Sequence, residues 1–390
     1  MDLRREPFRL LFPVGALLGL LGVAPWVLFG SGVTRVWPGT FHSTVMTQSF
    51  LVAIVIGFLA TMIPRRTSSQ PMSYVELGLA SLGVVLIPVA ALLDAQRHGH
   101  GLLPQGAFFA TLVLLLRFLF VRMRPRKAAP GSLPQGRPPL PSFVFLPTGL
   151  LTAAAGAILL VTSDGNGQSA HFLVGRALVE EGLLFGLVLA LAPMLGGIIQ
   201  HGRGPTEGSR RELHLYAVAA LLFLLSFGLQ AWSMRAGLLL RGAVAAAVML
   251  GGAKILESPS LPGVHRQLFR FALACVPFGL LAAGARPALR VPLLHFSFVG
   301  GLSLLVFAVS FHVAFHHTGR ESLADRPPWA VGATGALTIL ATLARVTAER
   351  FSQHYVEMLT LAASLWLAAA LVWGAALLVM VVRPAPTSSP

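Results

Sequence analysis

Twelve long, almost uninterrupted apolar runs fill this 390-residue chain. Nothing else constrains its fold as tightly. A helix that crosses a bilayer needs about 20 mostly apolar residues. The runs fall at about 8–30, 41–63, 74–93, 102–122, 142–162, 171–200, 212–233, 236–252, 266–284, 291–314, 328–346 and 354–382. Charged residues are only 11% of the chain and the mean hydropathy is +0.76. The runs are continuous and do not alternate with period two, which argues against a β-barrel. The reading is an all-α, polytopic integral membrane helical bundle of about 12 spans, in contact with the lipid bilayer.

The formal charge of +15 does not point to nucleic acid, because the basic residues lie in the connections between spans. They orient the chain instead. With a cytoplasmic N-terminus, inside segments carry 18 Lys and Arg and outside segments carry 8, Arg241 among the latter. Both termini are therefore predicted to be cytoplasmic. The chain reads as one transmembrane domain over 1–383, with a flexible cytoplasmic linker at about 123–141 and a disordered tail at 384–390. The single cysteine, Cys275, allows neither an intramolecular disulfide nor a cysteine-based metal site.

Polar groups at membrane depth carry the functional question, since each is costly in lipid unless it has a partner. His42, His171, His295 and His354 each open an even-numbered span, so all four are predicted near the outer face. Glu180 and Glu181 lie deeper on the same side, in span six. Adjacent residues point about 100° apart on a helix, so at least one carboxylate should face the bundle interior. It could carry protons, bind metal or pair with Arg176, four residues before Glu180. Arg117 is a second possible partner. His354 and Glu357 share a helix face. His214, His312, His316 and His317 are predicted near the inner face, where a solvated cap is the simplest reading. His295 and His312 are separated along span ten by about 25 Å, too far to share one ion. Facing imidazoles on different helices suit a six-coordinate haem iron or copper, and His42 with His295 is the best such pair. Hydrated interfacial histidines are the alternative.

Three stretches resemble the NnrS family of bacterial inner-membrane proteins. The first runs from Phe8 to Gly30 and includes Pro25-Trp26. The second is Phe41-His42-Ser43-Thr44-Val45-Met46, with Gly57-Phe58-Leu59 and Ile63-Pro64-Arg65-Arg66-Thr67. The third is Leu294-His295-Phe296 through Val299-Gly300-Gly301, closing on His317-Thr318-Gly319-Arg320. The resemblance implies a haem- and copper-containing membrane protein linked to nitric oxide and nitrosative stress. It implies His42 and His295 as ligands of a b-type haem. His354, Glu180, Glu181 and Glu357 would line the same cavity, as a second metal site or a proton path. His317, Thr318, Gly319 and Arg320 are carried over as a motif without an assigned role. The family pattern usually reads His-x-His where this chain has His42-Ser43-Thr44. In the region where the family often has a histidine of span nine, this chain has Phe271 and Ala272, and His312 stands where an arginine is usual. No C-x-x-C-H occurs, so covalent haem attachment is not expected. Haem-copper oxidase core subunits offer a looser likeness, with haem-ligating histidines on spans two and ten, but the histidine cluster of their spans six and seven is absent. A secondary transporter and a scaffold for a respiratory membrane metalloprotein are the competing readings.

Overall fold

In the computed structural model, residues 2–94, 101–124, 139–163, 169–204 and 208–382 are described. Most of the expected linker and all of the expected tail lie outside these residues. Twelve helices are long and apolar enough to cross a membrane: α1 Phe8–Gly30, α2 Gly39–Thr67, α3 Tyr74–Leu93, α4 Leu102–Met123, α5 Pro141–Thr162, α6 Ala170–Gln200, α7 Arg210–Trp232, α8 Met234–Gly252, α9 Val264–Ala285, α10 Pro287–His317, α11 Trp329–Arg350 and α12 Ser352–Val382. There is no strand among the described residues. The protein is thus an all-α, multi-pass membrane protein.

Local chemistry marks several helix starts. Ser73 and Glu76 form a reciprocal capping box at α3. Ser169 and Ser233 accept backbone N–H groups at the starts of α6 and α8. The long helices are not uniform. Wider π-helical turns occupy 45–50 in α2, 178–182 and 196–200 in α6, 248–252 in α8 and 296–303 in α10. Such turns shift the register of every following side chain and often mark functional positions. The three most enclosed spans, α2, α6 and α10, all contain them.

The chain divides into two compact units. Unit 1 comprises Met1–Gly22, Gly39–Ala190 and Thr206–Ala220; unit 2 comprises Val23–Pro38, Leu191–Pro205 and Leu221–Pro390. In unit 1, α5 and α6 approach backbone to backbone at Gly149 and Gly186, where an added Cβ on Gly186 would lie 2.8 Å from Gly149 Cα. Close approach through small residues is the usual way membrane helices associate. Arg122 forks onto Glu76 (3.1 and 2.7 Å) and also reaches the carbonyls of Gln70 and Pro71. Arg117 joins the same carboxylate at 3.5 Å, so its partner is Glu76 and not the span-six glutamates considered from the sequence.

Unit 2 buries two arginines. Arg241 lies inside α8 and not in a connection, which corrects its place in the charge count. Its side chain is fully enclosed, donates to Ser226 Oγ (3.1 Å) and Gln230 Oε1 (2.8 Å), and stacks over Phe227. Arg266 donates to Ile199 O (3.0 Å), Ala324 O (3.2 Å), Asp325 Oδ1 (3.0 Å) and Pro262 O. That clamp ties the start of α9 to the end of α6 and to the turn before α11.

Candidate functional site

His42 sits one turn into α2 and is half-buried. Its Nδ1 lies 3.0 Å from the carbonyl of Gly22 on α1. A carbonyl only accepts, so Nδ1 carries the proton and the lone pair is on Nε2. Gly22 permits the approach: a Cβ there would meet Met46 Sδ at 3.0 Å and Val45 Cγ1 at 3.1 Å. The π turn at 45–50 follows and turns polar groups inward. Thr44, Gln48, Ser49 and Gln105 are buried. Ser49 donates to Val84 O, and Gln105 Nε2 donates to Gln48 Oε1 at 3.3 Å. The Oγ1 of Thr44 has no hydrogen-bond partner among the described residues.

This polar nest meets the π turn 178–182 of α6, which carries both glutamates. Glu181 is buried, while Glu180 pairs with Arg176 through bonds of 3.1 and 2.9 Å to one carboxylate oxygen. The expected i,i+4 ion pair is therefore formed by one glutamate, and the other faces the interior of unit 1.

His295 occupies the matching position in unit 2, at the end of the first helical turns of α10. Its Nδ1 donates to Val291 O at 2.7 Å, which again places the lone pair on Nε2. The π turn 296–303 begins at the next residue. Ser297 fastens it to α9 by donating to Val276 O at 2.7 Å. A Cβ on Gly279 of α9 would lie 2.3 Å from Ser297 Oγ and 2.6 Å from its backbone nitrogen, so only glycine allows this contact. Both expected ligand histidines thus share one local design: Nδ1–H held by a main-chain carbonyl, and a π turn that begins one to three residues later. Outer groups that fix the ring and tautomer in this way are a regular accompaniment of metal-ligating histidines.

At the other end of α10 lies a constellation that the sequence did not disclose. Span nine begins at Val264, not 266, and so carries His265 in its first turn. His265 is fully buried, and its Nε2 lies 3.4 Å from Nδ1 of His312. The ring centres are 5.6 Å apart, so the nitrogens point at one another. His316, exposed at the helix end, lies 4.4 Å from His312 between ring centres. His312 and His265 therefore belong to a buried row, whereas His316, and His214 on α7, are exposed as a solvated cap requires. Among the described residues, both amide atoms of Gln200, Nε2 of His201 and Nδ1 of His265 are buried without hydrogen-bond partners. A signal existed in the sequence: the start of span nine and the end of span ten lie at the same end of the bundle.

The remaining residues are placed plainly. Thr318 Oγ1 donates to Ala314 O (2.8 Å), Gly319 has φ +67°, and Arg320 N–H reaches back to Phe315 O (2.9 Å). That is a helix-ending motif that requires a left-handed residue, best supplied by glycine. Arg320 then donates to Met380 O at 2.9 Å, tying α10 to α12. His317-Thr318-Gly319-Arg320 is accordingly a helix stop with a clamp. His354 and Glu357 are exposed and 4.0 Å apart, and they belong to unit 2, whereas Glu180 and Glu181 belong to unit 1. His171 is exposed. Among the described residues, no three His, Cys, Asp or Glu side chains are grouped to hold a metal ion.

The sequence profile of the NnrS family, described as NnrS protein, matches residues 2–385, nearly the whole chain. Comparison with the curated proteins returns no match.

Proposed function

The chain belongs to the NnrS family, and from that premise we propose that it is a haem-binding protein of the bacterial inner membrane that contributes to nitric oxide and nitrosative stress tolerance. His42 and His295 are its b-type haem ligands. The observation that carries this reading is their shared local design, in which each Nδ1–H is held by a carbonyl and each lone pair sits on Nε2. Bound haem supplies a redox-active iron with affinity for small gases. The protein's own part is to fix the ring and the tautomer of each histidine. Glu181, buried in the α6 turn that packs against the α2 turn 45–50, is the group suited to hold or move a proton within unit 1.

Copper fits less well. Where the family pattern has a second imidazole, this chain has Thr44, buried with its hydroxyl unpartnered. A neutral hydroxyl is a poor donor for copper beside imidazole or thiolate. Copper is therefore expected well below one ion per chain. The cytoplasmic placement of both termini follows from the basic connections, and partners are sought among respiratory membrane proteins.

The test is a reduced-minus-oxidised spectrum of protein purified in mild detergent, with iron and copper measured on the same sample. A b-type spectrum lost in His42→Ala and in His295→Ala supports the assignment. Full haem content in both variants removes it. No haem in protein made with ample haem supply moves the reading to a transporter or an assembly scaffold.

A further inference from the structure

A groove of about 600 Å³ opens at one end of unit 1, between the end of α4, the start of α5 and the start of α7. Its walls are apolar, formed by Leu116, Leu119 and Phe120 of α4, Phe143 and Leu146 of α5, and Leu213 of α7. Its rim is basic. Arg124 closes α4 and Arg210 opens α7, and both side chains line the groove. Arg124 stacks over Phe120, 4.0 Å from the ring centre, which fixes its guanidinium at the rim.

The neighbouring charges are committed elsewhere. Arg122 is held by Glu76. Glu212 is tied into the start of α7, where it accepts the N–H of Ser209 while Ser209 Oγ accepts the N–H of Glu212. Among the described residues, neither Arg124 nor Arg210 forms an ion pair with an acidic side chain. Phe120 and Leu213 are exposed on membrane-spanning helices, so the apolar walls continue into the hydrocarbon region. Two guanidinium groups at the end of the spans, above an apolar slot that runs into the lipid, match one chemical class of guest. Basic pockets between transmembrane helices at the headgroup level take anionic lipid.

We propose that this groove is a specific seat for an anionic phospholipid, with the phosphate between Arg124 and Arg210 and an acyl chain along Phe120, Pro147 and Leu213. Because the basic connections are assigned to the cytoplasmic side, the lipid belongs to the cytoplasmic leaflet. The site lies within unit 1 and is independent of whether the protein carries haem.

The test uses the full chain in mild detergent, titrated with phosphatidylglycerol, phosphatidylcholine or inorganic phosphate, and read by native mass spectrometry and thermal stability. Phosphatidylglycerol should bind and raise the Tm, phosphatidylcholine should bind far more weakly, and phosphate alone should do nothing. The pair of substitutions Arg124→Gln and Arg210→Gln should weaken phosphatidylglycerol binding about thirtyfold, since each basic group near an anionic surface contributes about one tenfold step or slightly less. Both positions are exposed, so the variant should keep its lipid-free Tm. Leu213→Ser should weaken both lipids and leave the headgroup preference intact. Equal binding of the two lipids, unchanged phosphatidylglycerol binding in the double variant, or a Tm rise from phosphate alone would each overturn the proposal.

Discussion

The two ends of α10 hold histidines in opposite ways. At one end, His295 gives its Nδ1–H to Val291 O. At the other, His312 meets His265 nose to nose and has His316 against its second side. In the first arrangement the main chain decides the tautomer, so the ring presents a fixed lone pair to whatever sits beyond Nε2. In the second, two side chains compete for one bridging proton, and neither tautomer is fixed from outside. The difference teaches that the number of histidines near a site says little about ligation. What counts is which nitrogen the surroundings have already used.

The comparison breaks most visibly in haem content. His295→Ala should abolish the b-type spectrum, whereas His312→Ala and His265→Ala should retain it, measured as haem per protein after purification. Haem lost on removing His312 but kept without His295 would reverse the assignment of the two ends.

A smaller effect sharpens the role of packing beside His295. Gly279→Ala places a methyl against the backbone of Ser297 and should cost about 1–3 kcal/mol, as overpacking does. The Tm in detergent should fall and haem content should drop with it. Unchanged stability would mean that the π turn at 296–303 is not pinned by this contact. Gly319→Ala, at the opposite end, forces a left-handed backbone on a side chain and should cost about 1 kcal/mol. Its effect on haem should be slight, because it loosens the helix stop and the Arg320 clamp but not the ligand end.

The smallest effect lies outside the spans. Glu257 is hydrogen-bonded by Lys254, and that bond, helped by the nearby charges of Lys254, His201 and Arg203, holds its carboxyl below the usual range. A lowered acid contributes stability above its unfolded-state pKa and loses it as pH falls through the folded value. The pair is solvent-exposed, so Glu257→Gln should leave the Tm at pH 7 unchanged within error and flatten the acid side of the stability curve only marginally. A large change would show that the connection between α8 and α9 governs the histidine end of the bundle.

Much of the fold was legible because lipid leaves the backbone few choices. With no water to satisfy N–H and C=O groups, each apolar run must close its own hydrogen bonds as a helix. The expected spans 8–30 and 74–93 coincide with α1 and α3, and the number of spans agrees. The Arg176–Glu180 pair could also be read locally, because it depends on spacing along one helix.

The sequence by itself determined the class, the count of spans and which residues open them, since hydropathy and length act along the chain. Only the tertiary structure decided who meets whom. Arg117 goes to Glu76, His265 joins His312, and the chain divides into two compact units, none of which periodicity can register. The π turns belong to this second category: one extra residue in a turn leaves composition untouched but rotates every later side chain, and it is held by contacts such as Ser297 with Val276 that arise only when the helices pack.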